Sequence, residues 1–233
     1  MAIGMRRLLA LGARTDTAEL LDSGRLSRSE VEANLADLAR LNRLPGGTDA
    51  SVRAISALVA GRDATRILDI GTGAGDMPVA FARCGWHVVA VDSNPAVLAI
   101  ARDRLVRIPN VDVLEADALA LPLEDGAVDV AHCSLLVHHF EPEAAVAALR
   151  ELRRVSRHGV VVNDLRRGLL PLAATWVSVM ALGRSSVTRV DGMASARRAY
   201  TMSELDGLLA EAGLTPRWRS AGWLPRVVTA STR

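Results

Sequence analysis

The run Arg66-Ile-Leu-Asp69-Ile-Gly71-Thr-Gly73-Ala-Gly75-Asp76 restricts the fold of this chain more than any other feature. A short β-favouring segment enters three glycines at alternate positions and leaves them into a helical pattern, the order of a strand, a tight turn and a helix N-terminus. Glycine belongs where a Cβ would keep the backbone from approaching a ligand, and the helix start beyond it offers N–H groups with no partner inside the helix. The spacing departs from the G-x-G-x-x-G of dinucleotide sites, and Asp69 stands two residues before the first glycine. A pocket for a pyrophosphate would repel that carboxylate, whereas one for an ammonium group would use it.

Around this run β-rich and helical patterns alternate: helix 49–60, strand 66–70, helix 75–84, strand 87–91, helix 95–105, strands 111–114 and 127–134, helix 142–156 and strand 159–163. Such alternation predicts an α/β fold with a Rossmann-like, doubly wound, mostly parallel sheet and helices on both faces. Thr201-Met-Ser-Glu204 is a capping-box pattern opening a helix that closes at Gly213. Two β-like runs near 214–220 and 224–231 fit an antiparallel hairpin at one edge, which brings the sheet to seven strands. Apolar residues at helical spacing from Thr15 to about Leu44, broken near Ser23-Gly24 and ended by Pro45-Gly46-Gly47, read as a helical preface. The chain is thus expected to divide into an N-terminal helical cap or lid, 1–60, and a ligand-binding domain, 61–233, with a helical insertion at about 166–200.

Two more acids stand where strands end. Asp92 closes the strand His87-Val-Val-Ala-Val91, about twenty residues after the glycine turn, where a carboxylate can accept both hydroxyls of a ribose. Asp117 follows the third strand, where a carboxylate can accept from an adenine amino group. Ammonium, ribose and adenine in that order describe S-adenosylmethionine (SAM).

The segments Leu68-Asp69-Ile-Gly71-Thr-Gly73-Ala-Gly75, Val91-Asp92, Ala116-Asp117-Ala-Leu-Ala-Leu-Pro122 and Asp129-Val-Ala-His-Cys-Ser-Leu-Leu-Val-His138-His139-Phe140 resemble the class I SAM-dependent methyltransferases. The nearest branch is the small-molecule one, with the ubiquinone/menaquinone methylases and natural-product O-methyltransferases. The resemblance covers about residues 64–164 well and the Thr201–Gly213 helix loosely. It implies methyl transfer from SAM to a small molecule, with S-adenosyl-L-homocysteine as product. It also implies Asp69, Gly71, Gly73 and Gly75 at the methionine end, Asp92 and Ser93 at the ribose, Asp117 and Ala118 at the adenine, and Ser134 beside the sulfonium.

Ligands of open α/β sheets bind beyond the carboxyl ends of the strands, so Leu135–Phe140 and Asn163–Arg167 are expected to face the transferred methyl. His139, and after it His138, are the general-base candidates, since imidazole takes a proton near neutral pH; pocket shaping or helix capping is the alternative for either. Asn42 is a candidate lid residue, and Arg166 and Arg197 are candidates to grip a carboxylate or phenolate on the acceptor. Trp176, in the uncharged helix 168–182, is a candidate for an apolar wall, with core packing or a homodimer contact as equal alternatives. No metal is expected. Catechol-type sites need an acid after the fourth strand, where this chain has Cys133-Ser134-Leu135, and His132, Cys133, His138 and His139 lack a zinc spacing.

The 28 basic and 26 acidic residues are scattered and give a net charge of +2, so no basic arm marks a nucleic-acid partner. A nucleic-acid methylase would commonly show Asp/Asn-Pro-Pro-aromatic after the fourth strand, where Leu-Val-His-His-Phe stands instead. One tyrosine and no lysine leave no Tyr-x-x-x-Lys pair for an NAD(P)-dependent oxidoreductase. Cys84 and Cys133 are too few for a disulfide framework, which points to a reducing, cytoplasmic setting. Gly12 and Arg14 break the early apolar run before it becomes a signal peptide, and Gly168–Gly183 is too short to span a bilayer. The expected function is O-methylation of an aromatic or polyketide-like acceptor. C-methylation of a quinone precursor, N-methylation and a non-catalytic SAM-binding role are the alternatives.

Overall fold

The computed structural model describes residues 14–61, 65–220 and 225–232. Its strands are β1 (Arg66–Ile70), β2 (His87–Asp92), β3 (Val111–Glu115), β4 (Val128–Ser134), β5 (Ser156–Leu165), β6 (Thr215–Arg219) and β7 (Arg226–Thr232). They form one sheet in the order β3-β2-β1-β4-β5-β7-β6, parallel from β3 to β5, with β7 antiparallel to both its neighbours. The expected mostly parallel, seven-stranded Rossmann-like sheet with an antiparallel edge pair is the observed one. Among the described residues the helices are α1 (Arg28–Leu41), α2 (Thr48–Val59), α3 (Asp76–Arg83), α4 (Pro95–Leu105), α5 (Pro142–Val155), α6 (Leu169–Leu182), α7 (Ser186–Arg198) and α8 (Met202–Glu211), with 3-10 turns at Leu21–Ser23 and Val137–His139.

The central strands are apolar on both faces because helices cover both. Along β1 the side chains alternate: Ile67 packs with Ile55 of α2 and Phe81 of α3, while Leu68 and Ile70 pack with Leu149 of α5 and Leu209 of α8. Asp69 therefore points to the α2 side, which decides what it can touch.

The chain before the sheet splits between two tasks. α2 packs on β4, β5 and β7 and belongs to the sheet layer, whereas α1 packs on α6 and α7. The insertion at 166–200 is thus two helices that with α1 make a roof over the strand ends. Buried acids pin that roof: Asp37 of α1 accepts from the backbone N–H of Arg184 (2.8 Å) and Ser185 (2.7 Å), and Asp191 of α7 accepts from Leu20 (2.8 Å) and Leu21 (3.1 Å). α6 turns Thr175, Ser178 and Val179 toward the space below and Leu169, Leu170, Trp176, Val177 and Met180 toward solvent. No helix of the described residues is long and apolar enough to cross a membrane.

Candidate active site beneath the helical cap

A cavity of about 410 Å³ lies between the carboxyl ends of the strands and the roof. Its floor includes Gly71 and Gly73 of the turn after β1, Asp92 and Ser93 after β2, and Ser134, Leu135 and Leu136 after β4. Its far wall is Glu19, Asp22, His138, His139 and Phe140, and Leu38, Leu41, Pro45 and Val179 make it apolar above. The strand ends and the expected β4 loop therefore meet in one space, as the topology requires.

The glycines of the turn do different things. Gly71 and Gly73 hold φ of +68° and +55°, and at Gly71 a Cβ would come 3.2 Å from Leu136 on the cavity floor. At Gly75 a Cβ would come 2.8 Å from Leu105, so this glycine lets α3 pack closely on α4 and lies outside the cavity wall. Leu135, at φ +53°, is one of two non-glycine residues in the left-handed region among the described ones, and its N–H is held by the Asn163 carbonyl at 2.9 Å. Backbone strain of this kind collects at ligand sites.

Asp92 is oriented toward the turn: its carboxylate accepts from the N–H of Gly73 (3.1 Å) and Asn94 (3.0 Å). Burial pushes its pKa above the ordinary aspartate range, against the pull of those N–H groups. Asp69 lies elsewhere. It is buried under the turn, where Thr72 Oγ1 donates to it at 2.7 Å and His132 Nδ1 lies 2.6 Å from it, and the other ring nitrogen of His132 is 2.9 Å from Ser51 Oγ on α2. This chain of contacts braces the turn from below and does not line the cavity. Asp117 is exposed and caps its own loop by accepting from Leu119 N–H at 2.9 Å, and Ala118 is packed in the core, so both lie outside the wall.

The histidine wall has an order that sequence spacing does not show. His138 is buried, with Nδ1 2.6 Å from Asp164 Oδ1 and Nε2 3.3 Å from Glu19 Oε1. Burial alone would lower its pKa, but the carboxylates of Asp164 and Glu19 outweigh burial and raise it to about 10. Burial likewise works against Glu19 ionising, yet the two histidines and Ser195, whose hydroxyl donates at 2.6 Å, bring it down to about 2. His139 is less buried, with Nδ1 3.0 Å from Asp22 and Nε2 3.7 Å from Glu19, and its ring stacks on His138 at a centroid distance of 4.4 Å. Arg14 ties the N-terminal segment to this loop through Glu141 (2.7 Å) and the Phe140 carbonyl (2.7 Å), and Arg198 donates to the His139 carbonyl at 2.6 Å.

A polar cluster closes the side toward β7. Arg226 is buried and donates to Asn163 Oδ1 (2.9 Å), Ser134 Oγ (2.7 Å) and Asn42 Oδ1, while Asn42 Nδ2 donates to Asp76 at 2.8 Å. Asn42 and Ser134 are therefore on the wall, as expected. Arg166, Arg197 and Trp176 do not line it: Trp176 and Arg197 are on the outer surface of α6 and α7, and Arg166 follows β5 with its N–H on the Pro225 carbonyl at 3.0 Å. Glu19, Asp22, Asp191 and Arg226 are the charged wall residues that the sequence did not single out, because each arrives from a segment remote from the motifs.

Comparison with known proteins agrees with the fold. Residues 67–159 match the family profile of a methyltransferase domain. A demethylmenaquinone methyltransferase of Clavibacter sepedonicus is 36% identical over 126 residues, covering 53% of this chain and 49% of that protein. The chain spans about half the length of that relative and 38% of the next. Among solved structures, a SAM-dependent methyltransferase from Aquifex aeolicus superposes with a TM-score of 0.63 at 19% identity, covering 89% of this chain and 98% of that one. The mitomycin 7-O-methyltransferase superposes with a TM-score of 0.57 at 20% identity, covering 80% and 55%.

Proposed function

We propose that the chain, whose residues 67–159 match the profile of a methyltransferase domain, is a class I SAM-dependent methyltransferase that methylates an oxygen of an aromatic or polyketide-like small molecule. The observation that carries this reading is that one cavity joins the Gly71, Gly73 and Asp92 floor to the Glu19, His138 and His139 wall. The residues fit SAM: a backbone turn that a side chain at Gly71 would crowd, and a half-buried carboxylate beside it. When bound, SAM supplies an electrophilic methyl and leaves as S-adenosyl-L-homocysteine.

Gly71 and Gly73 let the backbone meet the methionine end, and Asp92 with Ser93 receives the ribose hydroxyls. Asp69 acts through the turn that it braces. Ser134 and Leu135 lie between the cofactor floor and the acceptor wall. His139, half-buried with Nδ1 on Asp22, presents Nε2 to take the proton of an acceptor hydroxyl, and His138, fixed by Asp164, orients the pair. The leucines of α1 and Val179 exclude water and suit a flat apolar acceptor. The even charge balance supports a small-molecule acceptor over nucleic acid, and the free Cys84 and Cys133 support a reducing, cytoplasmic setting. A second reading, C-methylation of a quinone precursor, is favoured by the demethylmenaquinone methyltransferase relative.

Calorimetric titration with SAM and with NAD(P)H, using Asp92→Ala as control, tests the cofactor. Micromolar SAM binding lost in the variant supports it, and an acceptor screen with labelled SAM over phenols, aromatic acids and naphthoquinols then separates O- from C-methylation. Binding of NAD(P)H in place of SAM would remove the methyl-transfer reading.

A further inference from the structure

We propose that Glu19, His138 and His139 form a binding site for one divalent first-row transition ion of the Zn²⁺ class, with its open positions facing the acceptor half of the cavity. Nothing in the sequence spacing suggests this site, because the carboxylate that a β4-loop metal centre needs comes from the N-terminal segment, more than a hundred residues away.

Four observations carry it. A carboxylate oxygen of Glu19 and one ring nitrogen from each of His138 and His139 lie within 4.8 Å of one another. Two of the three separations are 3.3 and 3.7 Å. Ligand bonds of about 2.0–2.1 Å around a tetrahedral ion place neighbouring ligand atoms about 3.3–3.4 Å apart, so those two edges already have nearly the required length. Rotation of the half-buried His139 shortens the third.

His138 Nε2 is buried and makes no hydrogen bond of normal geometry; the charged group it faces is Glu19 Oε1 at 3.3 Å, so the nitrogen and the carboxylate share a gap of the width that two ligands of one ion span. Both histidines are also held by their other nitrogen: Nδ1 of His138 on Asp164 at 2.6 Å and Nδ1 of His139 on Asp22 at 3.0 Å. A carboxylate behind each imidazole is the arrangement that keeps a proton on Nδ1 when a metal takes Nε2. Ser195 donating to Glu19 orients the third ligand in the same way.

Charge agrees. Glu19, Asp22 and Asp164 contact the two rings, against which stand Arg198 on the His139 carbonyl and Arg14 on the carbonyls of His138 and Phe140. Two imidazoles and one carboxylate select d-block ions over Mg²⁺ or Ca²⁺. Entry of the ion displaces the proton from His138 Nε2 to solvent. Three protein ligands leave positions for an acceptor oxygen, whose proton the ion makes easier to lose; with Nε2 of His139 held by the ion, that proton passes to solvent and the ion takes over the activating role that the free imidazole would otherwise have. That catalytic consequence rests on the methyl-transfer reading; the binding does not.

Protein stripped with chelator is titrated calorimetrically with Zn²⁺ alone, and Co²⁺ is added to a second sample to read its visible absorption. The expected result is one equivalent bound, with Co²⁺ bands of a low-coordinate site. Affinity should fall at least about tenfold in His139→Ala and in Glu19→Gln, and by about 10–100-fold in Asp22→Asn, the group behind the ligand. His87→Ala and His158→Ala, on the surface, should bind as the unaltered protein does. Circular dichroism melts check folding, and His139→Ala carries the test alone if the buried Glu19 variant does not fold. Absence of saturable binding, or undiminished binding by His139→Ala, overturns the proposal whether or not SAM binds.

Discussion

Asp92 and Asp69 look equivalent in the sequence, one acid at the end of each of two neighbouring strands, and the fold gives them opposite duties. Asp92 holds an elevated pKa because burial penalises its charge, so at neutral pH the carboxylate costs stability, and that cost disappears as pH falls through its raised range. Its contribution to ribose binding has the reverse sign, present at neutral pH and lost on acidification above the ordinary range of about 3.9. Asp92→Asn should therefore melt no lower than the parent while its Kd for SAM rises about ten- to hundredfold, the cost of an unpaired buried polar group. An unchanged Kd would take Asp92 out of the cofactor site. For Asp69 the exposure that matters is that of its partner: His132 is completely buried between Asp69 and Ser51. His132→Phe removes the imidazole and leaves the carboxylate with Thr72 alone, and urea denaturation should show a loss of about 3 kcal/mol. A loss under about 0.5 kcal/mol, the range of an ordinary surface change, would mean that Asp69 finds another partner. The sequence shows that an acid precedes the glycines, but the alternation of β1 aims it at α2, and only the packed sheet reveals that.

At the scale of elements, legibility followed apolar periodicity. The strands and α5 could be read because their buried positions are hydrophobic, and the elements from Arg66 to Val155 end within a residue or two of the expected bounds. α7 had no such signal: its buried face includes Thr188, Asp191, Ser195 and Arg198, the first three of which line the cavity. A helix that builds a polar wall loses the pattern by which helices are found. α6 misleads in the opposite way. Its most hydrophobic residues are on the solvent side, and Thr175 and Ser178 turn inward, so the uncharged stretch gave the wall and Trp176 the wrong orientation. α8 was fully legible through its cap, and the structure closes the box: Thr201 Oγ1 accepts from Glu204 N–H at 3.3 Å and Glu204 accepts from Thr201 N–H at 2.7 Å. Thr201→Ala should cost about 1 kcal/mol, read as a melting point lower by about 2–4 °C. Partial burial works against ionised Glu204, but Thr201 and Arg167 outweigh it and hold the pKa below the usual value. The stabilisation is complete above the ordinary glutamate range and fades as pH falls through the lowered one. The difference between Thr201→Ala and parent should accordingly shrink in acid, and a difference constant with pH would assign the cap to the hydroxyl alone.

Across the whole molecule the cavity is the place where remote segments converge: residues 19–45 and α6–α7 above, the β1, β2 and β4 loops below, and Arg226 from the last strand at the side. The family motifs lie in only part of that circuit, so the sequence pointed to Gly71, Gly73, Asp92, Ser93, His138 and His139 on the cavity but not to Glu19, Asp22, Asp191 or Arg226, and it also named Asp69, Gly75, Asp117 and Ala118, which lie off it. The same convergence makes ligand binding a property of the entire fold. A ligand on the floor touches loops that also carry the roof, so it should raise one cooperative transition and leave no separate early melt of the cap. At a hundred times its Kd, SAM stabilises the native state by about 2.7 kcal/mol. For a chain of this size that is an increase of roughly 5–10 °C, since each kcal/mol is worth about 2–4 °C. S-adenosyl-L-homocysteine, which lacks only the methyl, should give a shift of the same order, and NADPH none. Two transitions, of which SAM moves only one, would show that the roof folds independently of the sheet and that the acceptor wall forms later than the cofactor floor. A single transition moved by NADPH and not by SAM would keep the sheet and discard the methyl-transfer chemistry assigned to it.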